Sequence, residues 1–458
     1  MSLTKASYSM ISGAPINVLD YGAIGNGTTD DTTAIQNAIN AAKIGNVVYF
    51  PPGTYKITAA LTMYAGITLQ GSSPVVTVFG VHTFAKSPSR IWQATAATSC
   101  VQILGNASSD TVCDTIIERL SFTAVQTPAF DDAPQANKHG IYCYGTPPYS
   151  AYRSTIANCT FHAFDSAIYV EGYDTGDGVD WQFDSVLIQR NAFFQCNNGI
   201  YLNTSNADAW LIEANTAAVP PNGKFLYLQR SGYLTAIANY ATPGYATNGS
   251  TATGTEMFRL GAFPDSVKMI GNAGSDKLAY FLRVDASTGY ENNYIVYSLD
   301  TNVIEAPCLI ERQCKIVSTG NRFTFDATCT GNDVEIYSYG DGWDPATKKW
   351  LMTGLRPRLF VEAGSEQTSG ITTAATGIAV TLFSLPASAG AYQVFAWLAN
   401  GGSLYQSVAT LMCDGVTLAR TTGANGASLT ITVSGRNVQT TQISGVSQPV
   451  YWSYQRVA

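Results

Sequence analysis

The stretch IYVEGYDTGDGVDWQFDSVLIQRNAFFQCNNGIYLN, Ile168 to Asn203, opens on a tetrapeptide and closes on its near copy, IYVE and IYLN. In each copy the first and third residues are apolar and the second and fourth are polar or amphipathic, the alternation of a half-buried strand. Working outward, the unit recurs at Ile141 (IYCY), Leu226 (LYLQ), Phe258 (FRLG), Leu282 (LRVD), Cys308 (CLIE) and Ile336 (IYSY). From Ile141 to Ile336 successive starts are 27, 32, 26, 32, 24, 26 and 28 residues apart. A second recurring element places an asparagine near a bend after an apolar strand: Asn158, Asn191, Asn215, Asn239, Asn272 and Asn321. Stacked asparagines can hydrogen-bond one another and the backbone that a bend leaves unpaired.

A period near 28 residues, with no helical periodicity inside the copies, predicts an all-β parallel solenoid in which each coil pairs only with its neighbours. At roughly 4.8 Å between paired strands, the eight copies make a column about 40 Å tall. The longest insertions, Thr123 to Lys138 and Gly172 to Asp180, are expected to project from it.

Composition agrees. Of the 458 residues, 46% are apolar and only 12% charged, against about 25% charged in an average soluble domain, which excludes disorder for most of the chain. The 41 glycines and 26 tyrosines suit turn-rich, aromatic-faced β structure. A net charge of -7 has the wrong sign for tracking phosphates, so no nucleic-acid partner is expected. No stretch approaches the roughly 18 apolar residues of a membrane span, and the start lacks the apolar core of a secretory signal. A soluble protein made in the cytoplasm, without membrane insertion, is the expectation. The nine cysteines are scattered and form no CxxC pair, and the three histidines stand at no ligand spacing. Buried thiols are expected, with no metal site and no cofactor.

At the N-terminal end, NVLDYGAIGNGTTDDTTAIQNAINAA (Asn17 to Ala42) carries turn signals up to Thr29 and then an amphipathic helix. Asp30 or Asp31 can cap it, Ala34, Ile35, Ala38, Ile39 and Ala42 share one face, and Gly45 supplies a stop. VVYFPPGTYKI (Val47 to Ile57) reads as two short strands around a Pro-Gly turn, giving the helix a sheet end to cap. The repeat pattern ends near residue 355, and Arg356 to Gly370 looks like a linker. From Ile371 onward the only charged residues are Asp414, Arg420, Arg436 and Arg456, among β-branched runs such as SLTITVSG. That composition predicts a small β-sandwich, sparsely charged enough to be buried between subunits. The expected division is 1–45 N-terminal segment and capping helix, 46–355 parallel β-helix, 356–370 linker and 371–458 β-sandwich.

The segment NVLDYGAIGNGTTDDTTAIQNAI followed by VVYFPPGTYKI resembles the N-terminal signature of pectate-lyase-like right-handed parallel β-helix proteins. Within these, ASYSMISGAPINVLDYGA is most similar to bacteriophage tailspike depolymerases. The likeness is specific over about residues 6 to 60, architectural over the coils and weak beyond them. It implies a homotrimer on the virion, joined to phage tail or baseplate proteins, that binds and usually cleaves a bacterial surface polysaccharide, capsule or O-antigen, at the cell surface. It leaves the C-terminal sandwich for trimerisation or carbohydrate binding. Tailspikes of this type often carry a head-binding domain before the signature; with almost nothing ahead of Ala6, either a longer protein or attachment through a very short peptide is implied. These proteins place their catalytic groups differently, so no catalytic residue transfers by motif.

The site has therefore to be read from the column. Second positions of the units form an outward file: Tyr142, Tyr169, Tyr201, Tyr227, Arg259, Arg283, Leu309 and Tyr337. Aromatic faces stack on the C–H faces of sugars and arginine holds carboxylates in a bidentate fork; an ordinary exposed strand would equally accept these residues. Fourth positions form a parallel file: Tyr144, Glu171, Asn203, Gln229, Gly261, Asp285, Glu311 and Tyr339. Asp285 and Glu311 are neighbours in it, and one coil of about 4.8 Å brings carboxyls within the roughly 5 to 9.5 Å that glycoside hydrolysis uses. Their repulsion would leave one as acid and the other as base or nucleophile. Alternatively Arg283 and Arg312 neutralise them in surface ion pairs. EGYDTGDGVDWQFD concentrates Glu171, Asp174, Asp177, Asp180 and Asp184 beside Trp181, which suits catalysis with Trp181 as a sugar platform, a calcium site of spacing unlike an EF-hand, or a solvated loop. In a trimer this loop can reach a neighbouring groove. No GxSxG elbow supports a serine triad, and His139 is expected to be a structural loop residue.

The residues thus lead to a glycoside hydrolase with carboxylates as acid and base: Asp285, Glu311 and Glu171 catalytic, and Tyr142, Tyr169, Tyr201, Tyr227, Arg259, Arg283, Trp181 and Asp180 substrate-binding. Two rivals share the fold. One is a lyase in which Arg259 or Arg283 neutralises a uronate while a tyrosine or histidine removes the α proton; the other is a non-catalytic glycan-binding fibre.

Overall fold

The computed structural model describes residues 13–42, 44–72, 88–105, 112–145, 151–172, 183–204, 207–247, 249–264, 266–275, 277–285, 296–300, 302–304, 306 and 308–311, and beyond these the strands between 314 and 456. The chain divides into two compact units, the first ending at Glu311.

The first unit is a right-handed parallel β-helix. Each coil lays down strands in turn on three parallel sheets, and successive coils pair in register. Among the described residues, sheet I runs from Ile16–Asn17 through Thr155–Ala157 to Val296–Asp300, sheet II from Asn26–Asp30 through Thr160–His162 to Val303–Ile304, and sheet III from Leu61–Thr62 through Phe164–Gly172 to Cys308–Ile310. Sheet III carries the repeat. Ile141, Ile168, Ile200, Leu226, Phe258, Leu282 and Cys308 stand directly over one another, all fully buried. The register predicted from period-two alternation holds for seven copies because a one-residue slip would turn every inward side chain outward.

The eighth copy does not continue this file: Ile336 pairs with Ile316 and Leu359 in the second unit. Alternation specifies a half-buried strand without specifying which sheet receives it. Two earlier coils belong to the file instead, at Leu61 and Val101; their Thr62 and Gln102 lack the aromatic second position that marked the repeat.

The interior is filled by stacked rings. Phe122 lies on Phe161 (centroids 5.2 Å, 12°) and Phe161 on Phe193 (5.4 Å, 8°). The bends between sheets I and II are held by a buried amide ladder. Asn191 accepts from the Cys159 amide at 2.9 Å; Asn215, Asn239, Asn272 and Asn302 each accept from the backbone amide of the preceding rung at 2.9–3.0 Å. Each side-chain amide then donates to a carbonyl at a neighbouring strand end. The residue just before a rung is left-handed, as at Asn158, Arg190, Ala214 and Ala238, a conformation that costs non-glycine residues energy unless fixed contacts support it. One expectation is corrected here: Asn158 is the left-handed bend residue and Cys159 occupies the rung. Asn302 is a rung that the sequence reading did not name, and Asn321 lies outside the described residues.

The helix spans Thr32–Ala41 and buries Ile35, Ala38 and Ile39. Its first amides use Asp30, whose Oδ1 accepts from Thr32 at 3.1 Å, while Asp31 turns back to the amides of Ile24 and Gly25. Residues read as turn up to Thr29 include the strand Asn26–Asp30. Gln36 bonds both backbone groups of Thr62, at the first edge of sheet III. An open edge is thereby satisfied, the capping expected of this helix.

The insertion at 123–138 does not stand free. Lys138 is buried, its ammonium donating to Gln93 O at 3.1 Å and Ala124 O at 3.0 Å, and Phe130 packs edge-on to Tyr245. Residues 173–182, with Asp180 and Trp181, lie outside the described residues. Cys100, Cys143, Cys159, Cys196 and Cys308 are buried and outside any disulfide, and Cys113 is half-exposed.

In the second unit, Cys314–Thr319, Val334–Tyr339 and Arg358–Val361 pair in parallel. The span expected to be a linker holds Arg358–Val361 and the start of Ser365–Ala374, which pair antiparallel. Beyond them lie two antiparallel sheets, one of Ser365–Ala374, Gln448–Arg456, Gly390–Asn400, Ser403–Cys413 and Leu418–Ala424, the other of Val380–Ser384, Asn437–Gln442 and Leu429–Ser434.

Candidate functional site

The outer face of sheet III brings three files together. The middle one is the tyrosine file. Tyr142, Tyr169, Tyr201, Tyr227, Arg259, Arg283 and Leu309 are direct cross-strand partners. Parallel pairing puts identical positions one coil apart, so the rings meet: Tyr142 and Tyr169 at 5.5 Å, Tyr169 and Tyr201 at 5.0 Å, Tyr201 and Tyr227 at 5.1 Å. Leu309 departs from the expected pattern by being buried. Tyr337 and Tyr339 lie on the displaced eighth copy.

The second file lies two residues upstream of the units: His139, Ser166, Asn198, Lys224, Glu256 and Tyr280. His139 stacks on Tyr169 with centroids 4.3 Å apart. Burial lowers its pKa against the opposing pull of Asp165, so near neutral pH it is an uncharged extension of the aromatic surface. Burial, then the charge of Glu171, pushes the Tyr142 and Tyr169 phenols up, and burial pushes Tyr201 up to about 12. These hydroxyls therefore stay protonated and able to donate, as Tyr142 does to Glu171 at 3.4 Å.

The third file begins with Tyr144, Glu171 and Asn203. There it slips: Asn203 pairs with Arg230 rather than Gln229. Asp285 and Glu311 follow Val284 and Ile310 on paired strands and reach the same guanidinium.

Charge collects at the far end of the face. Arg259 Nε donates to Asp285 Oδ2 at 2.9 Å. Arg283 Nε donates to Glu311 Oε2 at 3.1 Å and lies 3.2 Å from Asp285 Oδ1, while its Nη1 donates to Glu256 Oε1 at 3.3 Å. Arg259 also sits 5.3 Å above the Tyr227 ring, and Lys224 5.9 Å from it. Burial lowers the Lys224 pKa, reinforced by Arg259. Burial raises that of Glu256 against the pull of Arg259, Lys224 and Arg283.

The predicted site residues are thus placed as follows. The four tyrosines, both arginines, Asp285 and Glu311 share one face, with Glu171 beside the aromatic end. Asp285 and Glu311 do not confront each other across open water, because Arg283 lies between them. The ion-pair alternative has this much support; Arg312 lies outside the described residues. Sequence reasoning missed Glu256 and Lys224 and took His139 for a loop residue. The signal was available: extending each unit by two residues upstream yields His139, Ser166, Asn198, Lys224, Glu256 and Tyr280 at six successive coils. Among the described residues no three His, Cys, Asp or Glu side chains cluster as metal ligands.

Residues 15–131 match the family model described as "Rhamnogalacturonase A/epimerase, pectate lyase-like". A 71-residue stretch is 44% identical to mannuronan C5-epimerase AlgE6 of Azotobacter vinelandii, covering 14% of this chain and 8% of that protein. The chain thus spans only a small part of the curated relatives it matches. Among solved structures, the tailspike protein of Acinetobacter baumannii phage AM24 is similar at 10% identity, over 96% of this chain and 82% of that one, with a TM-score of 0.45. PfbA, a surface adhesin of Streptococcus pneumoniae, is similar at 14% identity, over 76% of this chain and 89% of that one, with a TM-score of 0.46.

Proposed function

We propose that the protein is a trimeric phage tailspike that lays a bacterial surface polysaccharide along sheet III and hydrolyses it with carboxylic acids of that face. The observation that carries this reading is the tyrosine file, four rings at successive coils with centroids 5.0–5.5 Å apart. A pyranose chain advances by a comparable step, so each sugar can meet one ring of the file. Asp285, Glu311 and Glu171 are carboxylates of this face, as is Glu256 beside the arginines, Arg259 and Arg283 are the forks for acidic or hydroxyl groups, and Asp180 and Trp181 flank the face in sequence. The N-terminal resemblance supports the virion setting, assembly with tail or baseplate proteins, synthesis in the host and action at the cell surface.

The test is digestion of purified capsular and O-antigen polysaccharides, scored by new reducing ends. Asp285→Asn and Glu311→Gln should each lower turnover by about 10²–10⁴-fold with the assembly still folded. Near-normal rates in both variants would remove the pair from the mechanism.

A second reading is β-elimination on a uronate polymer. Lys224, Arg259 and Arg283 around Glu256 favour it, because cations that neutralise a sugar carboxylate acidify its α proton. Unsaturated, ultraviolet-absorbing products distinguish it from hydrolysis. Intact polymer after prolonged incubation would mark a binding fibre instead.

A further inference from the structure

Two carboxylate oxygens on this face are buried and make no hydrogen bond: Glu256 Oε2, and Asp285 Oδ1, which has only the ion-pair contact with Arg283 Nε at 3.2 Å. Buried acceptors are nearly always satisfied, and an exception calls for a water, ion, ligand or reacting group to complete it. The two stand on opposite edges of the arginine file. Glu256 belongs to the upstream file, with its side chain only 5% exposed, and Asp285 to the downstream one. Arg283 separates them, with Nη1 at 3.3 Å from Glu256 and Nε at 3.2 Å from Asp285. Asp285 and Glu311, by contrast, occupy the same edge.

Glycoside hydrolysis needs its acid and its base on opposite sides of the scissile bond. Resting on the hydrolytic reading above, we infer that the catalytic pair is Glu256 as general acid and Asp285 as general base, with Glu311 as the residue that positions Arg283. The glycan then lies over Arg259 and Arg283, between the two edges. Arg283 turns onto the substrate and gives up its contact with Asp285 Oδ1. Glu256 gives its proton to the glycosidic oxygen as the C1–O bond breaks and the bonding electrons leave with that oxygen. Asp285 takes a proton from a water whose oxygen forms the new bond to C1. Glu256 ends ionised and Asp285 protonated, and exchange with solvent restores both.

The separation is one guanidinium plus a contact on each side. A base that acts through a water needs roughly 6.5–9.5 Å between the two carboxyls and inverts the anomeric centre. Burial of the Glu256 carboxyl favours its protonated form, while Asp285 is held by two guanidinium groups.

The test uses the full chain and a panel of purified capsular and O-antigen polysaccharides. Glu256→Gln and Asp285→Asn should each lower kcat by about 10²–10⁴-fold with KM little changed. The first product seen by proton NMR should have the inverted anomeric configuration. In Glu256→Asp, which also serves should the amide misfold, the fall in rate at high pH should move along the pH axis, a shift that a merely structural role does not produce. Retained configuration, or a Glu256→Gln variant within tenfold of the parent, overturns the pair alone. Failure of the parent to cleave any polymer, or unsaturated products, overturns the hydrolytic reading and the pair with it.

Discussion

The ring of Tyr169 lies flat on that of Tyr201, with centroids 5.0 Å apart and planes 7° apart, although the two belong to different coils. Cross-strand pairing produces this contact directly. It turns a sequence repeat into a continuous aromatic surface.

Truncating that surface should cost binding rather than folding. Tyr169→Ala or Tyr201→Ala is expected to weaken oligosaccharide affinity by about tenfold, since a ring stack contributes about 0.5–1.5 kcal/mol and 1.4 kcal/mol is a factor of ten. Tyr201→Phe keeps the ring and should lose much less. Calorimetric titration beside a thermal melt separates the two effects; a large fall in melting temperature with unchanged affinity would contradict the role.

The amide ladder makes the opposite prediction. Asn215 accepts from the Asn191 amide and donates to Ile188 O and Asn239. In Asn215→Ala, buried donors and a carbonyl at the bend lose their partners, each costing about 1–3 kcal/mol. We expect a loss of at least about 2 kcal/mol in denaturant unfolding, with glycan binding by the surviving folded protein unchanged.

Phe161 is the middle ring of the Phe122–Phe161–Phe193 stack and fully buried. Phe161→Ala should destabilise by about 3–5 kcal/mol and Phe161→Leu by clearly less, because the cost grows with the cavity left behind. Equal losses in the two variants would mean that the interior is not packed as described.

His162 provides a pH test. Its ring is buried, with Nε2 donating to Ala129 O at 3.0 Å and lying 3.5 Å from Asp132. Burial lowers its pKa from 6.5 to about 4, opposed by the Ala129 bond. The folded value lies below the unfolded one, so the unfolded chain binds the extra proton between them and stability falls as pH drops through that window. The parent should therefore lose stability between about pH 6.5 and 4 more steeply than His162→Gln, read as denaturation midpoints at each pH. Parallel curves would show that His162 does not titrate with folding.

How far the site could be read in advance depended on geometry at different ranges. The inward and outward positions of IYCY, IYVE, IYLN and LYLQ follow from alternation alone, and one coil of stacking then aligns Tyr142, Tyr169, Tyr201 and Tyr227. The same logic failed by one residue at Asn158, where the chain turns left-handed and Cys159 takes the rung, because a bend shifts the count. It failed at Gln229, where a bulge moves Arg230 into register.

By itself, the order of residues settled that the chain would coil as parallel strands, which second-position side chains would face outward on six of the coils, and that tyrosines would give way to arginines along them. Those properties depend only on the two-residue pleat and on pairing between neighbours. Tertiary structure alone decided that Arg283 would stand between Glu256 and the Asp285–Glu311 edge. The reach of long side chains across files, and the burial that leaves a carboxylate oxygen without a donor, arise only once separate coils are stacked and water is driven from between them.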